Sequence, residues 1–426
     1  MMSDYHPGLA QVRVPTMLRV RQHFPTPQVE DVPSAVRANL SRPAIRATVR
    51  PGMKIAVAVG SRGITGIATL VKTVVDELRA IGCQVIIIPA MGSHGGATPE
   101  GQQQILQDYG ITEENMGVPI VSTMTTRIVG ALSFDESLQR YHASPDGRIS
   151  VSLAQDAWDC DAVVPIVRIK PHTGFRGEYE SGVCKMLSVG LGKHAGCSRY
   201  HREGYHRFSA LMPAAAQVIL DTGKIGFALA VVENAAEQTA IVEAIPATEI
   251  MVREPLLLEE AKRLMPRLHI SNIDILVVER IGKNISGTGM DPNITGRGES
   301  GPVPGFDGPQ IKRIVVLGVT PESHGNAAGV GLADLITDDV YNAIDRRSLY
   351  TNVLTSGSLD AGKIPVTLPD ESSVIRAAMT CIPGTNPEDV TIVRIKDTLH
   401  LEEISVSANL LPIIKDISHI DLLHDH

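Results

Sequence analysis

Residues 54–89 read KIAVAVGSRGITGIATLVKTVVDELRAIGCQVIIIP, and this stretch decides the fold. Lys54–Val59 is a short apolar run that predicts a buried strand. GSRGITG follows. Ile64, Ile67, Leu70, Val71, Val74, Val75 and Leu78 then recur at helical spacing, and Gly82 is a helix stop. Cys83–Pro89 is the next predicted strand. The order strand, loop, helix, strand is a βαβ unit with a parallel sheet. Loops after such strands lie at the carboxyl end of the sheet, where open α/β sheets bind ligands. Gly60–Gly66 and Ala90–Thr98 (AMGSHGGAT) therefore belong to one edge. Ala162–Val167 is a further buried strand that delivers its following loop to the same edge.

Outward from this unit, residues 1–50 are polar and proline-dotted and read as a surface wrap on the first domain. Thr98-Pro99-Glu100 opens a helix. Phe208–Leu220 reads as a helix, Ile225–Val232 as a strand and Ala247–Leu264 as an amphipathic helix that Pro266 breaks. A second part begins with a strand at Asp274–Glu279 and runs into a glycine-rich segment, Gly282–Gly301. Ile311–Val319 reads as a strand, Val330–Ala343 and Ser373–Met379 as helices, and Val390–Ile395 with Leu399–Ser405 as a strand pair. At 426 residues the chain exceeds one ordinary core. The expected fold class is α/β: two α/β domains with largely parallel sheets, residues 1–270 and 271–426, and an active-site cleft between them.

Hydrophobic residues at 43% and charged residues at 20% describe an ordinary globular chain. The net charge of −8, without a basic stripe, argues against nucleic acid. No apolar run is long enough for a membrane span, and residues 1–15 lack the apolar core of a signal peptide. Five irregularly spaced cysteines with no CxxC pair oppose a disulfide framework and a thiolate metal site, so the expected compartment is the cytoplasm.

Chemistry concentrates in residues 167–205, VRIKPHTGFRGEYESGVCKMLSVGLGKHAGCSRYHREGY. Its glycines mark tight turns or close approach to a ligand. His172 follows Pro171, which fixes the backbone before it. His94 lies among small residues in GSHGG. Two histidines titrating near neutrality suit an acid/base pair, although His94 reads equally well as a surface loop residue. GSRGITG offers free N–H groups at a helix N-terminus, as phosphate-binding turns do, but it is also an ordinary βα turn. Arg62 is its one side chain able to grip a carboxylate or phosphate with two parallel bonds. Lys185 enters an apolar run, which suits a nucleophile or covalent anchor, or a salt bridge to Glu178 or Glu180. His194, His201 and His206 compete as metal ligands. In the second part Asn284, Ser286, Asp291, Asn293 and Arg297 cluster in glycine-rich backbone and suit recognition of hydroxyl and carboxylate groups.

GSR after the first strand, GSHGG after the next, and PHTGF, CKMLSVGLG and a following histidine occur in this order. In them the chain resembles the nickel-dependent lactate racemase family, over roughly residues 50–330. The resemblance implies a nickel-pincer nucleotide derived from nicotinic acid. It implies that Arg62, with Ser61 and Gly63, lies near cofactor or substrate, and that His94 and His172 are the acid/base pair. It implies that Lys185 anchors the cofactor through a thioamide and that His201 binds nickel. Cofactor-biosynthesis proteins are then partners; the oligomeric state stays open.

The spacing from His172 to Lys185 is longer than in the family's lactate enzymes. Val59 or Gly60 replaces an aspartate of the first loop, and Ser286 and Met290 stand where those enzymes carry a tyrosine and a lysine. The expected activity is therefore racemisation or epimerisation of a 2-hydroxy acid larger or more hydroxylated than lactate, with Asn293 and Arg297 binding substrate. The alternatives are a lyase or hydratase using the same histidines without nickel, and a non-catalytic protein that binds a sugar acid or nucleotide.

Overall fold

The computed structural model describes residues 8–61, 63–298 and 308–423, in two compact units. One is continuous, Pro25–Met265. The other joins the segment up to Phe24 to the segment from Pro266 onward.

In the continuous unit the strands run in the order Gln84–Pro89, Lys54–Val59, Ala162–Arg168, Phe227–Glu233, Thr239–Pro246. The first four are parallel and the last is antiparallel. Burial on both faces explains why Lys54–Val59 and Ala162–Arg168 are nearly continuous apolar runs. The period of two divides them cleanly. Ala56, Ala58 and Val163 face one core, beneath the helices Phe208–Leu220 and Ile250–Leu264. Ile55, Val57, Val59, Val164 and Ile166 face the other, beneath the helix Ile67–Ile81.

Ile67–Ile81 forms where the apolar spacing predicts a helix. It buries Ile67, Leu70, Val71, Val74, Val75 and Leu78, and Gly82 ends it at φ 96°, a conformation that favours glycine. Burying each such side chain stabilises the fold by about 1.5–3 kcal/mol before conformational entropy is set against it. Phe208–Leu220 stays helical through Pro213. An antiparallel sheet of Thr126–Asp135, Arg140–Ala143 and Ile149–Ala154, not foreseen from sequence, packs on the first core.

Chain order places Gln84–Pro89 on one side of Lys54–Val59 and Ala162–Arg168 on the other. The strand order thus reverses beside Lys54–Val59. Loops leaving the carboxyl ends of Lys54–Val59 and Ala162–Arg168 flank a crevice at that point, the usual ligand position in such sheets.

The other unit is built on eight strands, in the order Val366–Leu368, Leu335–Thr337, Gln310–Val316, Asn272–Val278, Ile392–Ile395, Glu403–Ser407, Met17–Gln22, Ile420–Leu422. The first five are parallel and the rest pair antiparallel. Two expectations are corrected here. Residues 17–22 do not wrap the first domain: Arg19 pairs with Ser405 and Arg21 with Asp421 across strand ladders, so the division at 270 assigns the first segment to the wrong unit. Val330–Ala343 is not one helix. Leu335-Ile336-Thr337 is a buried strand bonded on both sides, followed by a helix only over Asp338–Ala343. Three apolar residues are too few to show either periodicity.

Candidate active site

Three loops and one irregular helix meet at the carboxyl edge of the continuous unit. Gly60 and Ser61 leave the strand Lys54–Val59. A side chain at Gly60 would meet Met186 at 3.0 Å, so this turn packs directly on the segment that carries Lys185. Ser61 Oγ is hydrogen-bonded to His94 Nδ1, and Tyr109 Oη donates to Ser61 O at 2.6 Å. Ser61 and His94 are thus brought together. Arg62 lies outside the described residues, and Gly63 follows it in the same turn.

The loop carrying His94 lies on the helical segment behind it. Gly92 N–H donates to Gly190 O at 3.1 Å, and Ser93 Oγ is 3.5 Å from Cys197 Sγ. Two buried residues hold the loop from below. Gln102 Nε2 donates to Gly92 O and His94 O, and its Oε1 accepts from Lys193 Nζ, which also donates to Pro89 O at 2.7 Å. Lys193 is fully buried and sits at φ 53°, a strained backbone for a residue with a Cβ. Burial pushes its ammonium down to about 8.

The sign of the resulting pH dependence is fixed. The folded state binds fewer protons than the unfolded one between about 8 and the usual lysine value, so stability rises with pH through that window. The contribution rises by at most about 1.4 kcal/mol per pH unit. Urea midpoints of the wild type minus those of Lys193→Met should climb from pH 8 to pH 10 and be flat below; a flat difference throughout would refute the assignment.

His172 is buried after the strand Ala162–Arg168. Its N–H donates to Glu180 Oε2 at 2.7 Å, Arg176 Nη1 donates to His172 O at 2.7 Å, and Arg176 also donates to Glu180 Oε2 at 3.1 Å. Lys262 Nζ lies 3.3 Å from Glu180 Oε1. Gly174 N–H donates to His172 Nδ1 at 2.9 Å. Burial first, and then the charges of Lys185, Lys170 and Arg176, hold the imidazole well below its ordinary pKa, so the ring is neutral near pH 7.

His201 ends the helix Lys193–His201. Its Nδ1–H donates to Cys197 O at 2.7 Å, which leaves the Nε2 position for a ligand. Burial works against the charged ring, but hydrogen bonding and charge from Cys197 prevail and raise its pKa. Tyr205 lies between the two histidines, 5.6 Å from the His201 ring and 6.1 Å from the His172 ring. Lys185 is half-buried, and its ammonium acts on both His172 and His201.

Cys197 and Lys193 escaped the sequence reading. Cys197 stands four residues before His201, one helical turn away, and that spacing was the available signal. Among the described residues no group of three His, Cys, Asp or Glu side chains is arranged to hold a metal ion. A lone imidazole nitrogen fits a metal whose other ligands arrive with an organic group. His201 Nε2 is such a nitrogen.

In the other unit Asn293 and Arg297 serve the protein itself. Asn293 N–H and Nδ2 both donate to Asp291 Oδ1. Arg297 donates to Asp334 Oδ2 at 2.6 Å and to the carbonyls of Leu332, Ile311 and Lys312. The guanidinium fork of Arg297 thus already spans two backbone segments, which argues against the expected role in binding substrate. A cavity of about 310 Å³ in this unit, lined in part by Glu279, Arg280, Thr337 and Arg394, includes neither residue. Arg297→Ala should lower stability by about 2 kcal/mol or more and leave KM unchanged; a raised KM with unaltered melting would restore the substrate role.

Comparison with known proteins gives the same direction. The lactate racemase N-terminal domain matches residues 9–210. The fold is similar to that of the lactate racemase apoprotein from Thermoanaerobacterium thermosaccharolyticum, with a TM-score of 0.52 at 14% identity over 89% of this chain and 94% of that one. A protein from Thermotoga maritima gives a TM-score of 0.53 at 14% identity, over 87% of this chain and 97% of that one. No curated protein sequence matches the chain. Among the described residues no helix is long and apolar enough to cross a membrane.

Proposed function

We propose that the chain, whose residues 9–210 match the lactate racemase N-terminal domain, is a racemase or epimerase acting at the carbinol carbon of a 2-hydroxy acid other than lactate, with a nickel-pincer nucleotide. The observation that carries this reading is the His201 ring fixed through Nδ1 on Cys197 O, with Tyr205 between it and the buried His172. Lys185 would hold the nucleotide and His201 Nε2 would be its protein ligand to nickel. When bound, the nucleotide supplies a hydride acceptor for the carbinol C–H.

The chain supplies the rest. His94, steadied by Ser61, handles the hydroxyl proton. His172, neutral and buried, faces the substrate oxygen from a loop clamped by Glu180 and Arg176. The turn Gly60–Gly66, with Arg62, would hold a phosphate or the substrate carboxylate.

The test is co-expression with the cofactor-biosynthesis proteins, then intact mass, metal analysis and a chiral screen of 2-hydroxy acids. A covalent mass increase, one nickel and interconversion of a substrate larger than lactate are expected. A protein that takes up neither adduct nor nickel, yet dehydrates or cleaves a sugar acid, would overturn the reading in favour of a lyase.

A further inference from the structure

Lys185 stands in the first turn of an irregular helix, and that turn has no cap of its own. Gly182 precedes Val183–Lys185 and offers no side chain to accept from the free N–H groups. Glu254, on the helix Ile250–Leu264, supplies the acceptor instead: Cys184 N–H donates to Glu254 Oε2 at 2.8 Å. The carboxyl fits there because residue 182 is glycine. A Cβ at that position would run into Glu254 Oε1. The same helix meets this segment one turn earlier as well. Tyr179 Oη donates to Met251 O at 2.6 Å, and Cys184 Sγ lies 3.6 Å from Met251 Sδ.

Glu254 is a costly residue to keep in this place. It is buried, and its Oε1 has no hydrogen-bond partner among the described residues. Burial pushes its pKa up to about 7, against the N–H groups of Cys184 and Val183. An apolar side chain of the same shape would avoid the unpaired oxygen. The core therefore gains nothing from the carboxyl except its bonds to the turn.

Those bonds have something to select. Past Lys185 the helix widens to π spacing over Met186–Gly190, where Leu191 N–H donates to Met186 O at 2.8 Å. A helix that already holds one irregular turn can begin a residue early or late, and each such slip swings a side chain by about 100°. A cap on Cys184 N–H fixes which residue begins the turn, and with it the side from which Lys185 projects. Further along the same helix Lys262 lies 3.3 Å from Glu180 Oε1, and Glu180 holds His172 N–H. One helix thus braces both segments.

We propose that Glu254 is the positioning residue for Lys185, capping its turn from a second helix and so setting the direction of its amine. The cap stands on the geometry; its bearing on cofactor attachment rests on the racemase reading.

Three substitutions separate acceptor from charge. Glu254→Gln keeps an oxygen at the same reach. Glu254→Asp keeps the charge and draws it back by one methylene. Glu254→Ala removes both. In protein made without the cofactor-biosynthesis proteins, acetylation of Lys185 by N-acetoxysuccinimide is followed by peptide mass spectrometry. Exposed Lys54 is the internal reference, and labelling of buried Lys193 reports general unfolding. The rate at Lys185 relative to Lys54 should rise about fivefold in Glu254→Asp and Glu254→Ala, the factor that one lost cap is worth. It should stay at the wild-type value in Glu254→Gln, with Lys193 unlabelled throughout. An unchanged rate in Glu254→Asp, or an equal rise in Glu254→Gln, overturns the proposal, and this pair decides the matter even if Glu254→Ala fails to fold.

In protein co-expressed with the biosynthesis proteins, the fraction carrying the covalent mass increase should fall by a similar factor in Glu254→Asp and recover in Glu254→Gln. Equal adduct in Glu254→Asp and wild type overturns the positioning role. If no protein, wild type included, takes up the adduct while the labelling pattern holds, the functional reading falls and the cap survives.

Discussion

Lys185→Ala should abolish the covalent mass increase of protein co-expressed with the cofactor-biosynthesis proteins, and racemase activity with it. His201→Ala should keep the adduct and lose nickel. The two variants separate attachment from metal binding because the side chains use different atoms for different bonds. Lys185 would offer an amine for a thioamide, while His201 would offer a ring nitrogen already oriented by its Nδ1–H bond to Cys197. Half-burial at Lys185 keeps water from the attached group. Square-planar coordination suits Ni(II), and a histidine nitrogen is an appropriate ligand for it. Mass spectrometry and metal analysis on the same preparation decide both points. If His201→Ala retains full nickel, the metal is held elsewhere, and if Lys185→Ala retains the adduct, another nucleophile carries it.

Glu180→Ala should be the most damaging change outside the residues that touch substrate. Its carboxylate is fully buried and accepts from His172 N–H and Arg176, with Lys262 beside its other oxygen. Removing it takes a carboxylate away from the half-buried Arg176 charge and takes from the His172 backbone N–H the acceptor it uses. Breaking such an arrangement costs about 3–5 kcal/mol. In a unit of this size that is a fall of about 6–20 °C in the melting midpoint. Glu180→Gln keeps an acceptor for His172 N–H and should recover part of the loss. A midpoint for Glu180→Ala within about 2 °C of wild type would show that the network does not hold the loop.

Much of the edge that bears the site was legible because it follows from patterns of many residues. Lys54–Val59, the helix through Leu78 and the glycine turn at Gly82 each repeat a simple signal several times. The positions of Ser61 and His94 at one carboxyl edge then follow from the parallel pairing of the two strands that precede them. What was not legible depends on single long-range contacts. Nothing in MLRVRQ announces that residues 17–22 pair with strands almost four hundred residues away. Arg297 looked available for a ligand because its four acceptors come from two distant segments. Lys193 is followed and preceded by nothing that marks it as internal, yet the fold seals it under Pro89 and Gln102.

The interleaved strand Met17–Gln22 has a consequence for how the molecule is made. It sits between Glu403–Ser407 and Ile420–Leu422, so both its neighbours in the sheet are synthesised long after it. On the ribosome this strand emerges early and waits with both edges unpaired while the whole of Pro25–Met265 is translated. That intervening unit is continuous and needs no later residue for its own sheet, so it folds during synthesis, as domains generally do. The flanking unit closes only once those later strands have been made, by pairing segments far apart in sequence, which is the slow kind of contact to form. Until then the early strand is an exposed edge open to the wrong partner. Arg19 and Arg21 within it, both paired with Glu403 once the sheet is complete, are the charges that discourage such pairing in the interval.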